Sequence, residues 1–401
     1  MKSDMDSTRE LESPPTSVCH VVALPYPGRG HINPMMNLCK LLTSKKPDIL
    51  ITFIVTEEWH SFMGSDHKPH NIRRRNIPVA SLWPMSASVF SVLLHIETLE
   101  QKGYFPLNNV SEWGDDEVIA DLDLPTVLNG DGLQILKMNL EVVRSIYKAQ
   151  YLVFSSVYEL EPQVFDNLKA KFALPIYPFG PSIPYFELSK SPPTNHNHLY
   201  NWLDSQPKHS VLYISLGSFL SVSKAQMDEI VAGVQNSGAR FLWVARGDAS
   251  KLKDGVGDKG LVVSWCDQLR VLCHDSIGGF WSHCGWNSTL EAVYAGVPIL
   301  TCPIFGDQIP NAKKIMEDWK IGCRVLKKKK KKGFEEEDLV TREEIVQLVQ
   351  RFMDLESKEG KEMRERAKQL QETCQGAIAK GGSSDTNLDA FIKDVFHKTI
   401  N

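Results

Sequence analysis

A 44-residue stretch, from Trp265 to Gln308, holds the side chains whose types and spacing best suit the binding of a polar ligand. Within it, the turn SHCG at residues 282–285 lies between an apolar run and a helical pattern. Backbone N–H groups and the positive end of a helix converge at such a turn, which suits a diphosphate. An ordinary strand-to-helix turn with a capped helix is the alternative, and it is the default interpretation of these four residues alone.

Two further side chains of the stretch allow both a structural and a binding interpretation. Trp265 suits either a core position or stacking on a base. Asp307 stands where a helix is predicted to begin, and an Asp there, taken alone, favours capping over binding. Glu291, in contrast, lies four residues beyond Asn287 on one helix face, so a single surface can present both side chains to a ligand.

The whole stretch resembles the signature of the plant family 1 UDP-glycosyltransferases. The matching residues are Trp265, Gln268, His274, Phe280, His283, Cys284, Gly285, Trp286, Asn287, Ser288, Glu291, Gly296, Val297, Pro298, Pro303, Asp307 and Gln308. The resemblance extends over about residues 18–400 and is strongest in the second half of the chain. It implies an α/β protein of the GT-B fold, in which two Rossmann-like domains with parallel sheets face each other across a cleft.

The resemblance also implies which residues bind the sugar donor. They are Ser218, Trp265, Cys266, Asp267, Gln268, His283, Gly285, Trp286, Asn287, Ser288, Glu291, Asp307 and Gln308. At the nucleoside end, Trp265 would stack on uracil, and the Cys266 backbone would read the edge of the base. Gln268 and Glu291 would bind the ribose hydroxyls.

At the phosphate end, the residues that match His283, Asn287 and Ser288 contact the diphosphate in this family. Asp307 and Gln308 would hold hydroxyls of the transferred sugar, and members that end the signature in Gln tend to use UDP-glucose. We expect no metal, because helix-end N–H groups and His283 replace the cation that other transferases use. No cofactor is expected either, since UDP-glucose is a substrate.

A histidine near the N-terminus is the candidate catalytic residue. The sequence GRGH at residues 28–31 follows the first predicted strand, and open α/β sheets bind ligands at that edge. Histidine titrates near neutrality and can take a proton from an acceptor hydroxyl. A histidine that only hydrogen-bonds the turn is the alternative for an isolated case. The resembling enzymes share the pattern G-x-G-H-x-N-P with the histidine as general base, which implies that role for His31.

The chain departs from the family pattern after the second predicted strand. In the family, an aspartate on a later strand orients the histidine. Here only residues 56–76 separate predicted strands at 49–55 and 77–83, tens of residues fewer than the family has. We expect the segment with the aspartate to be absent, with a join near residues 72–73. In a serine-protease triad such a loss costs up to about 10⁴ in rate, so weak or absent transfer is expected.

Composition excludes several classes of partner. The chain has 401 residues, of which 42% are hydrophobic and 23% charged, and a net charge of −4 favours neither nucleic acid nor an anionic membrane as partner. Residues 1–17 lack the apolar core of a signal peptide, and no apolar run approaches the roughly 20 residues of a membrane-spanning helix. Eight cysteines without a C-x-x-C pair indicate reduced thiols in a cytoplasmic protein. We expect a monomer.

Short apolar runs alternate with helical patterns, which indicates α/β units on parallel sheets. Helices are predicted from Pro34 to about Thr43, with Asn33 as cap, and near residues 85–99, 224–236 and 288–295. Strands are predicted at residues 18–24, 49–55, 77–83, 151–154, 211–215, 240–245, 261–263, 277–281 and 297–302. Residues 327–338 are predicted to form a charged surface loop.

The domain organisation follows from these elements and from a proline-rich connection. We expect a flexible tail at 1–17, an acceptor-binding domain at 18–185, a linker at 186–208, and a UDP-sugar-binding domain at 209–383. The last helix, at 384–401, is expected to pack back on the first domain.

The leading hypothesis is a GT-B enzyme that transfers glucose from UDP-glucose to a hydroxyl of a small apolar acceptor, with inversion. The alternative is a UDP-sugar-binding protein, the product of a truncated gene, with lost or very weak transferase activity. A dinucleotide-dependent oxidoreductase is excluded, because no G-x-G-x-x-G opens a helix with an acidic residue about 20 positions later.

Overall fold

The computed structural model describes residues 19–26, 28–55, 79–101, 131–189, 197–217, 223–245, 257–304, 306–325 and 339–397. Several predicted features lie outside these residues. They are the tail at 1–17, the interval 56–76 with its join, residue Ser218 and the charged loop at 327–338.

Short parallel strands and their helices form the N-terminal region, which we define as residues 19–189. Its longer elements are β1 (Cys19–Ala23), α1 (Arg29–Lys45), β2 (Ile49–Phe53), β3 (Ala80–Trp83), α2 (Ala87–Gln101), α3 (Asp131–Ile146), β4 (Tyr151–Phe154), α4 (Pro162–Lys171) and β5 (Ile176–Pro178). β1 pairs with β2, and β4 pairs with β3 and β5. Among the described residues no ladder joins these groups, so the strands form a two-stranded and a three-stranded sheet.

One continuous sheet organises the C-terminal region, which we define as residues 197–382. Its elements are α5 (Asn197–Asp204), β6 (Val211–Ser215), α6 (Lys224–Asn236), β7 (Arg240–Val244), β8 (Gly260–Val263), α7 (Gln268–Leu272), β9 (Ile277–Ser282), α8 (Trp286–Ala295), β10 (Ile299–Thr301), α9 (Gln308–Lys313), β11 (Gly322–Arg324), α10 (Arg342–Met353) and α11 (Lys358–Ile378). All strand pairs are parallel, in the order β11-β10-β9-β6-β7-β8. The order reverses between β6 and β9, and ligands bind at the carboxyl ends of strands at such a point.

Both faces of this sheet are covered by helices, which explains the continuous apolar runs of its strands. Tyr213 and Phe280 pack on one face with α7, α8 and α11, whereas Leu212 and Trp281 pack on the other with α6 and α10. Within β9 there is no room for a side chain at Gly278, where a Cβ would lie 1.9 Å from the carbonyl oxygen of His209. Glycine at this position therefore lets the neighbouring backbone approach β9 closely.

Helices, rather than strand pairing, connect the two sheets of the N-terminal region. α1 and the last helix, α12 (Ser383–His397), pack on the same face of both sheets. The ring of Phe391 in α12 lies 6.0 Å from that of Tyr151 and 5.4 Å from that of Tyr177. α2, α3 and α4 cover the other face of the three-stranded sheet.

Helix α1 begins earlier than the sequence predicts. We expected it to start at Pro34 behind an Asn33 cap, but it starts at Arg29 behind Gly28. The prediction was wrong because a proline inside the second turn removes only one backbone hydrogen bond, whereas Gly28 supplies the left-handed turn (φ 150°) that allows the earlier start. Helix α8 likewise begins two residues before the predicted Ser288, and Gly296 ends it in the left-handed conformation as expected.

All eight cysteines are unpaired, and the buried ones are Cys39, Cys266, Cys284, Cys302 and Cys374. No helix in the described ranges is both long and apolar enough to cross a membrane.

Candidate active site

The carboxyl ends of β6 and β9 meet at the 282–285 turn, which leads into α8. The imidazole of His283 fits between two glycines: a Cβ added at Gly217 would lie 3.1 Å from the ring, and one at Gly285 would lie 2.6 Å from Nε2. Burial lowers the pKa of His283 to about 4, with the backbone of Ser215 opposing the shift. The ring is therefore neutral at neutral pH and can interact with a phosphate as a hydrogen-bond donor without a charge.

The same turn holds an uncommon backbone conformation. Cys284 has a φ of 66°, in the left-handed region that non-glycine residues rarely adopt. Two hydrogen bonds fix it: the Cys284 N–H donates to Ser282 Oγ at 3.0 Å, and its carbonyl accepts from Asn311 Nδ2 at 3.1 Å. Gly285, at the N-cap of α8, offers no capping side chain. The positive end of α8 is thus a natural position for an anion.

A polar cluster lies along α8 beyond the turn. Gln268 Nε2 donates to Ser288 Oγ at 2.9 Å and to Glu291 Oε2 at 2.5 Å. On its other side, Gln268 Oε1 accepts from the buried Tyr213 hydroxyl at 3.2 Å. Burial raises the pKa of Glu291 to about 7, an effect that Gln268 opposes and the charge of Asp267 increases. This carboxylate can accept hydrogen bonds from the hydroxyls of a ligand.

The residues just before α7 have distinct environments. Trp265 is 45% exposed, so the core interpretation of its indole is wrong and a face remains accessible. The Asp267 carboxylate, which the resemblance assigns to sugar-donor binding, caps α7 by accepting from Arg270 N at 3.2 Å. Cys266 is buried, and its thiol lies 3.4 Å from the Tyr213 hydroxyl.

Asp307 and Gln308 follow β10, and Asp307 lies beside the backbone of Trp286 at the N-terminal end of α8. Asp307 precedes α9 but makes no capping bond to it, so the capping interpretation is wrong. Its carboxylate accepts from Asn311 Nδ2 at 3.1 Å. Burial raises its pKa to about 6, and hydrogen bonds from Asn311 and the backbone of Trp286 oppose the shift. Gln308 Oε1 accepts from Ile304 N at 2.9 Å.

His31 lies in the first turn of α1, beside α8. Pro34 has no N–H, so the Gly30 carbonyl lacks its helical partner and accepts instead from Asn287 Nδ2 at 3.2 Å. The His31 ring contacts Tyr26 edge-on with centroids 5.3 Å apart, and burial lowers its pKa. In the described part of the chain, no carboxylate forms a hydrogen bond or ion pair with this ring.

Sequence reasoning missed two residues of the site. Tyr213 lies in an apolar run, where nothing distinguishes its hydroxyl from core packing. Asn311 could have been found, because it lies four residues after Asp307 and therefore on the same helical face.

Comparison with known proteins identifies the family. A family model described as UDP-glucoronosyl and UDP-glucosyl transferase matches residues 168–341. UDP-glycosyltransferase 87A1 of Arabidopsis thaliana is 45% identical, over 93% of this chain and 99% of the relative. The chain belongs to the plant family 1 UDP-glycosyltransferases. UDP-glycosyltransferase 87A2 of the same organism is 44% identical over 96% of this chain and 98% of the relative.

Solved structures of related proteins confirm the expected fold. UGT71G1 of Medicago truncatula, complexed with UDP-glucose, superposes with a TM-score of 0.75 at 23% identity, over 94% of this chain and 98% of that one. Phytolacca americana UGT2, complexed with UDP-2fluoro-glucose and pterostilbene, gives 0.73 at 23% identity, over 94% and 99%. The fold is GT-B, with α/β architecture and parallel sheets.

The raised pKa of Glu291 predicts a pH dependence of sugar-nucleotide binding. If only the carboxylate accepts ligand hydroxyls, affinity for UDP-glucose should rise about tenfold from pH 6 to pH 8, because the group ionises near pH 7. UDP-glucose is the right probe, since both of its phosphates are esterified and do not titrate in this range. Isothermal titration calorimetry at several pH values measures the effect.

A Glu291→Gln variant is the control for this experiment. The affinity of this variant for UDP-glucose should depend less on pH, and mainly near pH 6, where Asp307 ionises. A full tenfold change in the variant would show that Glu291 is not the responsible group.

Proposed function

We propose that the protein transfers glucose from UDP-glucose to a hydroxyl group of a small apolar acceptor, with inversion at the anomeric carbon. One observation supports this most strongly. A continuous polar surface runs along α8, from the Gln268–Glu291 pair past the 282–285 turn to Asp307. Its order of groups matches the order of ribose, diphosphate and sugar in the donor.

In this proposal the nucleoside binds at the β8 end of the site. Trp265 stacks on uracil with its exposed face, and the Cys266 backbone contacts the base. Glu291 and Gln268 hold the ribose hydroxyls, as their hydrogen-bonded arrangement allows. Stacking of this kind contributes roughly 1–3 kcal/mol per base.

The diphosphate and the sugar bind at the N-terminus of α8. His283, Asn287 and Ser288 donate to phosphate oxygens, and Ser218, which follows β6 in the sequence, is assigned to the same task. Buried Trp286 Nε1 has no hydrogen-bond partner within the described ranges, so this N–H is available to donate to a ligand oxygen. Asp307 and Gln308 hold the glucose hydroxyls.

His31 acts as the general base. It takes the proton of the acceptor hydroxyl while that oxygen attacks the anomeric carbon on the face opposite UDP, which inverts the centre. The bond from Asn287 to Gly30 supports this role, because it holds the base next to the phosphate-binding helix. Charge that develops on the departing UDP is stabilised by the α8 terminus and His283, without a metal.

Turnover is expected to be slow, because His31 has no orienting carboxylate among the described residues. Two observations support an internal deletion as the cause. The alignment with UDP-glycosyltransferase 87A1 extends over 442 positions, more than the 401 residues of this chain. Within the described residues, the strands of the N-terminal region also form two separate sheets. Both observations equally favour a second candidate function, a UDP-sugar-binding protein that has lost transferase activity.

The remaining assignments belong to the same proposal. The acceptor domain spans 18–185, the linker 186–208 and the sugar-donor domain 209–383, and the helix at 384–401 returns to the first domain. That helix's contacts with Tyr151 and Tyr177 support its return. We place the protein in the cytoplasm, as a monomer that acts in plant secondary metabolism.

Replacing Trp265 by Ala should weaken UDP binding by about 1–3 kcal/mol, because the stacking surface is lost. Calorimetry measures the change. Tyr147→Ala removes another exposed aromatic side chain, in the N-terminal region, and should leave the affinity unchanged. Equal affinities of the Trp265 variant and the wild type would refute the stacking assignment.

Transfer itself is tested by UDP release in the presence of UDP-glucose and a panel of phenolic, terpenoid and hormone-like alcohols. The wild type should release UDP with at least one alcohol and use UDP-glucose in preference to UDP-galactose. His31→Ala should abolish release while UDP affinity stays constant, because the base acts only on the acceptor. UDP binding without release for any alcohol would favour the binding-protein alternative.

A further inference from the structure

A chain of buried hydrogen bonds crosses from the N-terminal region to the sugar end of the site. Its centre is Asn311 in α9, which is 1% exposed. Asn311 Oδ1 accepts from the hydroxyl of Ser86, at 3.2 Å, in the N-terminal region. Asn311 Nδ2 donates to the Cys284 carbonyl and to the Asp307 carboxylate, both at 3.1 Å.

These partners fix the orientation of the amide. Cys284 O and Asp307 Oδ2 are acceptors, so they require the NH₂ side of Asn311. The Ser86 hydroxyl can donate to the oxygen side. A flipped amide would place its oxygen against a carbonyl and a carboxylate, which is unfavourable in a buried site. The Asn311 amide is therefore fully satisfied in one orientation only.

Ser86 is itself held firmly. Its carbonyl accepts from Trp83 Nε1 at 3.0 Å, and its hydroxyl also accepts from Val89 N at 3.3 Å at the start of α2. The buried Glu161 carboxylate accepts from the next two backbone N–H groups, each at 2.9 Å. Lys314, just after α9, lies 3.8 Å from the same carboxylate, so charge attraction supports the contact between the regions.

The two acceptors of Asn311 are both important to the proposed donor site. The Cys284 carbonyl belongs to the residue with the left-handed backbone in the 282–285 turn. The Asp307 carboxylate is buried, and the hydrogen bond from Asn311 limits the rise of its pKa. Loss of the amide would free the turn to relax and would leave the carboxylate with backbone hydrogen bonds only.

We propose that Asn311 is a positioning residue that orients the Asp307 carboxylate and the 282–285 turn, and that Ser86 of the N-terminal region holds its amide in place. The inference rests on the proposed use of UDP-glucose as donor. It makes contact between the two regions a requirement for tight binding of the sugar, although the nucleotide pocket lies in the C-terminal region alone.

The test compares UDP-glucose and UDP by calorimetry on the full chain. Asn311→Ala should weaken UDP-glucose binding about tenfold and UDP binding only about threefold, because UDP lacks the glucose whose hydroxyls are proposed to contact Asp307. Asn311→Asp, which keeps the size and the acceptor for Ser86 but has no amide donor, should weaken UDP-glucose binding at least as much. Thermal unfolding of each variant verifies that it is folded.

A double-mutant cycle tests the role of Ser86. Ser86→Ala should weaken UDP-glucose binding about threefold in the wild type and not at all in the Asn311→Ala background, because both changes act on one linkage. Two controls remove buried hydroxyl bonds elsewhere in the C-terminal region: Ser237→Ala and Thr301→Val. Both should bind UDP-glucose like the wild type.

Three results would overturn the proposal. If Asn311→Ala binds UDP-glucose like the wild type, Asn311 positions nothing. If the effects of Ser86→Ala and Asn311→Ala add, Ser86 does not hold the amide. If the wild type binds UDP but not UDP-glucose, the proposed function is wrong, and this inference fails with it.

Discussion

The left-handed backbone of Cys284 is the constraint on which the site depends. A strand that ended in ordinary extended conformation would carry the chain past the sheet edge, whereas a φ of 66° turns it back into α8. The conformation costs on the order of 1 kcal/mol or more for a residue other than glycine. It persists because the N–H of Cys284 donates to Ser282 Oγ and its carbonyl accepts from Asn311 Nδ2. The same turn places His283 between Gly217 and Gly285.

The two halves of the molecule differ in how their strands are held. In the C-terminal region the strands pair by backbone hydrogen bonds within one six-stranded sheet. The site residues that follow these strands are therefore positioned by backbone geometry. In the described part of the N-terminal region, the strands form two separate sheets, which α1 and α12 connect by packing on both. The position of His31 therefore depends on helix packing and on the bond from Asn287 to Gly30.

The sequence predicted the parts of the site that lie close together along the chain. The 282–285 turn, α8 and the Gly296 end follow from local patterns, and the identity of the fold followed from the resemblance of one 44-residue stretch. Contacts between distant residues could not be predicted in this way. The bond from Ser86 to Asn311 joins residues 225 positions apart, and the Tyr213 hydroxyl reaches Gln268 from another strand. Pro34 led to a wrong prediction of the start of α1. The proline lies inside the helix, and the Gly30 carbonyl that it leaves without a helical partner accepts a hydrogen bond from Asn287 of α8.

We propose that this chain retains a complete sugar-donor site while its general base lacks an orienting carboxylate. A chimera tests it most directly: residues 56–78 are replaced by the corresponding, longer interval of UDP-glycosyltransferase 87A1, and UDP-glucose affinity and turnover are measured on both proteins. We predict that affinity stays within about twofold, since the exchange leaves the proposed donor-binding residues and Ser86 unchanged, while turnover rises by up to about 10⁴ as the base gains an orienting carboxylate. Equal turnover of the wild type and the chimera, at equal affinity, would show that the shortened interval does not limit catalysis.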